Sequence, residues 1–280
     1  YIKGSPTDGA SPVEIISRDT IDALSASTVA DITANLSINS GSENNVDSFT
    51  SGSTQGTGNV NLRGLGLTST LVLLDGKRHT LAGIAANDGS VFVNTNIIPV
   101  NAIERVEVLK EGAASVYGSD AVAGVVNYIF RRDFEGIEVD VSTQETDLGG
   151  QTDDKVSVIF GTPLGNGNLV VAVSSLDRSP LLGTEFNPSL VPLGISGFGT
   201  SFLAFGGGTV ESGPYAGTYS FLENIPDPNC IANKGILLPQ ASGQRCGFFF
   251  GDRFNLVNDE DHLNTYTSFK TELSTGATFS

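Results

Sequence analysis

"VEVLKEGAASVYGSDAVAGVVNYIF", residues 106–130, carries the reading of the fold. A polar-flanked strand runs into a small-residue turn at Tyr117-Gly118-Ser119-Asp120. An almost uninterrupted apolar segment follows, with one amide, Asn127, inside it. An amide buried in a strand costs roughly several kcal/mol if left unpaired, so Asn127 is expected to bond neighbouring backbone.

Working outward, residues up to about 133 have mixed α and β character. Ser17-Arg18-Asp19 before Ile21 and Leu24, and Ser27-Thr28 before Val29, Ile32 and Leu36, predict two short capped helices. Residues 37–58 are polar and read as a loop. Asn59 to Arg63 alternates and predicts a strand. Thr68 to Leu74 predicts another, stopped by the turn pair Asp75-Gly76. A Pro99-started helical turn precedes a strand from Arg105 to Leu109.

From residue 136 the pattern changes to long alternating strands. Ile137, Val139 and Val141 alternate with Glu138, Asp140 and Ser142, so one side is apolar and the other polar. Val156, Val158 and Phe160, then Leu169, Val171 and Val173, make a hairpin about Gly165-Asn166-Gly167. Leu263 to Leu273 and Thr275 onward suggest another strand pair. Between these pairs, residues 180–261 read as a long connection rich in Gly, Pro and Phe, unusual inside a compact soluble domain but ordinary on a barrel rim.

The 280 residues carry 15 basic and 31 acidic side chains, a formal charge of −16, which repels phosphate backbones and excludes nucleic acid as the expected partner. Glycine reaches 34 residues, methionine and tryptophan are absent, and 39 % of residues are hydrophobic, which favours turn-rich β or α+β structure. No apolar run approaches the roughly 18–20 residues of a spanning helix. The chain starts at Tyr1 without a secretory pattern, which leaves a removed export signal open. Cys230 and Cys246 are the only cysteines, in Gly/Pro/Asn-rich flanks and without a metal spacing. They are expected to form a disulfide, the alternative being two thiols in a reducing compartment.

Several motifs lead nowhere. Gly64-Leu65-Gly66 is followed by β-branched residues rather than a helix, against a dinucleotide fingerprint. His79 and His262 lack a ligand spacing, so no metal site is expected. Asp259-Glu260-Asp261 has the charge to attract calcium, but a run of charges at a loop end is more often just hydrated, and it is read so. No catalytic residue and no cofactor is expected, and the chain is read as not an enzyme.

The segments "VNLRGLG", "TLVLLDGKR" and "IIPVNAIERVEVLKEGAASVYGSDAVAGVVNYIFRR" together resemble the plug domain of TonB-dependent outer-membrane transporters. Four signatures stand in family order: Arg63-Gly64, Leu73-Leu74-Asp75-Gly76, Ile103 to Val108, and Tyr117-Gly118-Ser119 leading to Gly124-Val125-Val126-Asn127. The resemblance implies an α+β plug over 11–133 after a linker at 1–10. It further implies the first antiparallel strands of a transmembrane β-barrel over 134–280, with an extracellular loop at about 180–261. In such a plug Gly112, Gly118 and Gly124 permit close backbone approach, and Tyr117 buries its ring while its hydroxyl stays bonded.

By the same resemblance, Arg63 and Lys110 would lock the plug to carboxylates of the wall, Lys110 without the bidentate fork of arginine. The outward plug loop, with Arg78, His79, Thr80, Asn87 and Asp88, would contact the solute: an iron chelate, cobalamin or an oligosaccharide. The implied partners are the TonB-ExbB-ExbD inner-membrane complex, reached by strand addition upstream of the plug, and outer-membrane lipid. Family barrels have about twenty-two strands, whereas residues 136–280 supply only about four by their alternation, so a longer receptor is expected. The other reading is a secreted or surface-exposed binding module or adhesin without transport.

Overall fold

The computed structural model describes residues 13–43, 54–110, 114–147, 150–186, 195–196, 201–203, 206–213, 216–239, 243–249, 255–272 and 278–279. The chain divides into two compact units: Tyr1–Pro180 with Val257–Ser280, and Leu181–Leu256.

The described part of the first unit opens on strand β1 (Val13–Ser17), which the periodicity did not signal. Ser17 ends it and caps helix α1 (Arg18–Leu24), its Oγ accepting from the Thr20 N–H. Helix α2 (Val29–Ala34) opens on a capping box in which the Asp31 carboxylate accepts from the Thr28 N–H at 2.7 Å. Both helices bury an apolar stripe, Ile21 on one and Val29 with Ile32 on the other. The chain then makes β2 (Thr70–Leu74), the two-residue β3 (Lys77–Arg78), β4 (Ile103–Leu109), the single turn α3 (Ala114–Tyr117) and β5 (Gly124–Phe130).

These strands form one sheet in the order β1-β4-β5-β2-β3, with β5 parallel to β2 and antiparallel to β4. A strand buried on both faces reads as a continuous apolar run rather than an alternating one, and β5 has that composition.

The expected strand at Asn59 to Arg63 is absent. Leu62 makes one isolated bridge to Asn39, and Arg63 takes a left-handed backbone at φ 59°. The asparagines explain this: Asn39 Oδ1 accepts from the Asn61 N–H, Asn61 Nδ2 donates to the Gly41 carbonyl, and Asn61 Oδ1 accepts from the Gly66 N–H. Side-chain amides satisfy backbone groups that a ladder would have used. Residues Leu67–Ser69 form a 3-10 turn, so β2 starts two residues later than its β-branched run.

The second sheet contains β6 (Gly136–Glu145), β7 (Thr152–Leu164) and β8 (Gly167–Arg178), then the Glu260–Glu272 strand and a stub at Thr278–Phe279. All neighbours are antiparallel, and β6 is an edge. The two-residue turn Gly165-Asn166 closes the β7–β8 hairpin as expected. Glu260 and Asp261 belong to the last long strand, opposite Arg178 and Asp177, which corrects their reading as a loop end.

Register aligns the apolar residues in rows across this sheet: Ile137, Phe160, Val171 and Thr267 in one, Val139, Val158, Val173 and Thr265 in the next. That apolar face is the exposed one. Ile137 is 69 % exposed, Val141 71 % and Leu263 72 %. The opposite face, with Asp153, Ser157, Ile159, Asn168, Val170 and Ala172, is buried against the first sheet and its helices. A sheet with polar residues packed inward and an apolar outer band is inverted relative to a water-soluble protein, and is the arrangement of a barrel wall in lipid.

The second unit consists of short antiparallel pairs, among them Ile236–Pro239 with Gln244–Phe249 and Gly208–Val210 with Gly217–Tyr219. The expected disulfide between Cys230 and Cys246 is formed, with Cα atoms 5.7 Å apart. A Cβ on Gly235 would meet Cys246 Sγ at 2.7 Å and the Cys230 carbonyl at 2.8 Å, so only glycine passes beside the bridge. Of the aromatic residues in this span, Phe198, Phe205, Tyr215, Phe250 and Phe254 lie outside the described residues.

Candidate functional site

The sequence signatures of the first sheet converge on one polar spine. Asn127, fully buried, donates from Nδ2 to Glu107 Oε2 at 3.2 Å and accepts at Oδ1 from the Gly76 N–H at 2.8 Å. Glu107 is paired in turn with Arg105. The turn aspartate, Asp75, accepts from the Phe130 N–H at 3.0 Å and pairs with Arg132 at 2.7 Å. Thus the Asp75-Gly76 turn, the Glu107 strand and the Asn127 strand are tied by side chains that a loss of any one would leave unpaired. The expectation that Asn127 bonds backbone holds at Gly76; its second partner is a carboxylate.

At the other end of β5, Gly124 has φ 145°, and a Cβ there would meet the Leu109 carbonyl at 2.6 Å and Leu62 Cδ1 at 2.7 Å. Gly118 differs: nothing crowds it, and only its φ of 89° calls for glycine. Tyr117 packs half-buried on Val13, Leu71, Leu73 and Val125. Gly112 lies outside the described residues.

Arg78 is brought to this same turn. Its guanidinium donates to the Tyr117 carbonyl and pairs with Asp120. The Arg78 hydrogen bond and charge hold the Asp120 carboxyl below the usual aspartate range. His79 and Thr80 follow on the exposed loop, His79 Nδ1 lying 3.0 Å from the Thr80 carbonyl oxygen. Arg78 and His79 line a cleft of about 280 Å³ with Leu67, Thr68, Phe92 and Asp120.

Asn87 and Asp88 sit at the loop tip. The Glu43 carboxylate accepts from the Asn87 N–H. Asp88 accepts from the Ser90 N–H at 2.8 Å, a bond that lowers its pKa. Arg78 ends β3 and the other four residues follow it on one loop, in which Arg78 and Asp88 are also engaged in local contacts.

Arg63 and Lys110 are brought together as well. The Arg63 guanidinium donates to the Lys110 carbonyl, and the Lys110 ammonium pairs with Glu14 of β1 at 2.8 Å. The Lys110–Glu14 pair fastens the edge strand β1, and the Arg63 contact ties its turn to the residue that follows β4.

The two sheets of the first unit meet through a seam of side chains directed at backbone. Gln144 donates to the Ser25 carbonyl, Lys155 to the Ala26 carbonyl, Asn264 to the Asn96 carbonyl and Asn168 to the carbonyls of Arg132 and Phe134. Arg131 pairs with Glu138, and Phe130 stacks on Tyr266 with centroids 4.3 Å apart. Within the wall, Arg178 bridges Asp153 at 2.6 Å and Glu260 at 3.3 Å, all three nearly buried. Sequence reasoning missed this group. The available signal was an arginine and two carboxylates at inward positions of alternating strands.

Residues 5–125 match the family model described as "TonB-dependent Receptor Plug Domain". The segment is a TonB-dependent receptor plug domain. The chain also resembles solved receptors over part of its length. One is a mutant ferric enterobactin receptor from Pseudomonas aeruginosa in complex with enterobactin, 22 % identical with a TM-score of 0.50, covering 71 % of this chain and 29 % of that one. Others are the siderophore receptor PirA from Acinetobacter baumannii (24 %, TM-score 0.44, covering 59 % and 24 %) and the ferric citrate transporter FecA, unliganded (19 %, TM-score 0.49, covering 62 % and 26 %). The chain spans less than a third of each of those receptors. At 22 % identity the first of these likenesses concerns the fold alone.

Proposed function

We propose that the chain is the plug and first wall strands of an outer-membrane importer, in which the plug gates the barrel and the TonB-ExbB-ExbD complex supplies the energy. The plug would occupy 11–133 after a linker at 1–10, and the barrel strands 134–280, with an extracellular loop at about 180–261. The observation that carries this reading is the inverted second sheet: its polar face holds the plug and its apolar rows face outward. A secreted binding module would have no use for an exposed band of Ile, Val and Phe.

An iron chelate comes first among the solute classes because the solved receptors of like fold are named for ferric enterobactin, siderophores and ferric citrate. Cobalamin and oligosaccharides stand behind it. Arg78, His79, Thr80, Asn87 and Asp88 are the proposed plug contacts, and Arg63 and Lys110 the proposed lock to wall carboxylates. No bond of the solute changes, so the role is transport and not catalysis. Uptake of radioactive iron as ferric enterobactin and as ferric citrate tests the reading in cells expressing the receptor. Uptake that needs both the receptor and an energised inner membrane supports it; binding without energy-dependent uptake of any of the three solute classes contradicts it.

A further inference from the structure

The loop after β3 is folded on itself, and its outer surface is aliphatic. The Ala82 N–H donates to the Phe92 carbonyl at 2.7 Å and the Ala86 N–H to the Ser90 carbonyl at 2.9 Å, while Phe92 and Ala86 are buried with Leu67. With this small core fixed, four large apolar side chains still stand outside it: Leu81, Ile84, Val91 and Ile97 are 40–52 % exposed. A second cleft, of about 430 Å³, shares His79 and Leu81 with the cleft beside Arg78 and is lined further by Thr57, Thr80, Ile84 and Ile97. An apolar lining edged by a few hydroxyls is the composition of a small-molecule site.

The charge of this loop narrows what it can hold. No lysine or arginine stands between Arg78 and Arg105, and Asp88 is the one acidic residue before Glu104. Arg78 already pairs with Asp120 and donates to the Tyr117 carbonyl, and Lys77 stands opposite Leu74 beside the Asp75-Gly76 turn. A further carboxylate, Glu43, reaches the loop tip at the Asn87 N–H. An anionic solute pressed on this surface would lose hydration among aliphatic side chains and face two carboxylates, without a lysine or arginine of the loop to compensate.

The loop also leads to the outer end of the wall. Just after it, the Asn96 carbonyl accepts from Asn264 Nδ2 at 2.8 Å. Asn264 stands in register with Ser174, four residues inside the Glu260–Arg178 pair where the two strands part into the long connection. The tight turn Gly165-Asn166 lies at the opposite end of β8. Outer-membrane barrels carry their short turns on the periplasmic side and their long loops outside.

We propose that the part of the solute that meets the plug is electrically neutral with an aliphatic face, and that Leu81, Ile84 and Ile97 receive it while Thr57 and Thr80 supply hydrogen bonds at its edge. The inference rests on the reading of this loop as a solute contact. Among iron chelates it favours uncharged complexes, such as ferric trihydroxamates, over anionic citrate and catecholate ones. An uncharged oligosaccharide presents the same chemistry, C–H faces rimmed by hydroxyls.

The test measures binding to the purified full receptor, beside energised uptake in cells, for four probes: an uncharged ferric trihydroxamate, an uncharged glucose oligosaccharide, ferric citrate and an anionic ferric tris-catecholate. One of the two uncharged probes is expected to bind and be taken up, which identifies the source, and both anionic complexes are expected to bind roughly tenfold or more weakly. Ile84→Asp is expected to weaken the uncharged probe by roughly tenfold with the unfolding temperature unchanged, because Ile84 is exposed before solute arrives. Tighter binding and uptake of either anionic complex overturns the inference and leaves transport intact. A lowered unfolding temperature in Ile84→Asp with unchanged binding shows that other parts of the receptor cover the patch, and overturns it as well. Where Ile84→Asp lowers both, Ile97→Asp is judged by the same two readouts. Energised uptake of none of the four overturns the inference together with the transport reading.

Discussion

Asn127 and Glu107 face each other across β5 and β4 and share a buried hydrogen bond of 3.2 Å, while Asn127 also holds the Gly76 N–H. Replacing Asn127 with leucine leaves a buried carboxylate oxygen and a backbone donor unpaired. The expected cost is about 2–4 kcal/mol, read as a lowered unfolding temperature of the purified receptor. Asn127→Asp is expected to be at least as harmful, because it sets two carboxylates side by side in the plug.

Gly124 and Gly118 separate conformational need from spatial need. Gly124→Ala drives a Cβ into the Leu109 carbonyl, which belongs to the neighbouring strand and cannot withdraw without breaking the sheet. Gly118→Ala meets open space and bears only the strain of its backbone, of order 1–3 kcal/mol. Urea unfolding of the two variants is expected to rank Gly124→Ala well below Gly118→Ala in stability.

The four signatures could be read together because they stand in the order of the family that the chain resembles; taken singly, a turn pair, an alternating strand or a lone amide in an apolar run fits many α+β domains. What joins them could not be read. The pairing of Asn127 with Glu107, or of Asp75 with Arg132, depends on register between strands far apart in sequence. Strand β1 was missed because VEIIS is short and its neighbours set its place. Asn59 to Arg63 was misread because alternation is blind to asparagine side chains that compete for the backbone. In the wall, alternation gave the strands and their two faces, but not which face meets the plug.

Arg78 and Asp120 give the plug turn a defined response to acid. The Arg78 contact depresses the Asp120 pKa, so its stabilising contribution is fully present above the unfolded aspartate value of about 3.9 and is lost as pH falls through the folded value. Hydrogen exchange at residues 117–121 is expected to be flat from neutral pH down to that range, after correction for intrinsic rates, and to rise below it. Asp120→Asn should remove the transition.

Val171 lies in an outward row of the wall with Phe160 and Thr267 as its neighbours in register. Val171→Arg places a charge in the apolar band, at a cost of about 2–4 kcal/mol if the site is near the bilayer midplane, whereas Val171→Leu is expected to be neutral. Folding yield into lipid bilayers, followed by gel mobility without heating, checks the difference.

The central claim is that the apolar face of the second sheet meets lipid while its polar face holds the plug. Nitroxide labels placed in turn at Val156, Ser157, Val158, Ile159 and Phe160 of the reconstituted receptor test it most directly. The account predicts an alternation of period two, with Val156, Val158 and Phe160 accessible to oxygen dissolved in the bilayer, and Ser157 and Ile159 shielded from both oxygen and a water-soluble relaxing agent. Collisions with the water-soluble agent at Val156, Val158 and Phe160, or no alternation along β7, would contradict it.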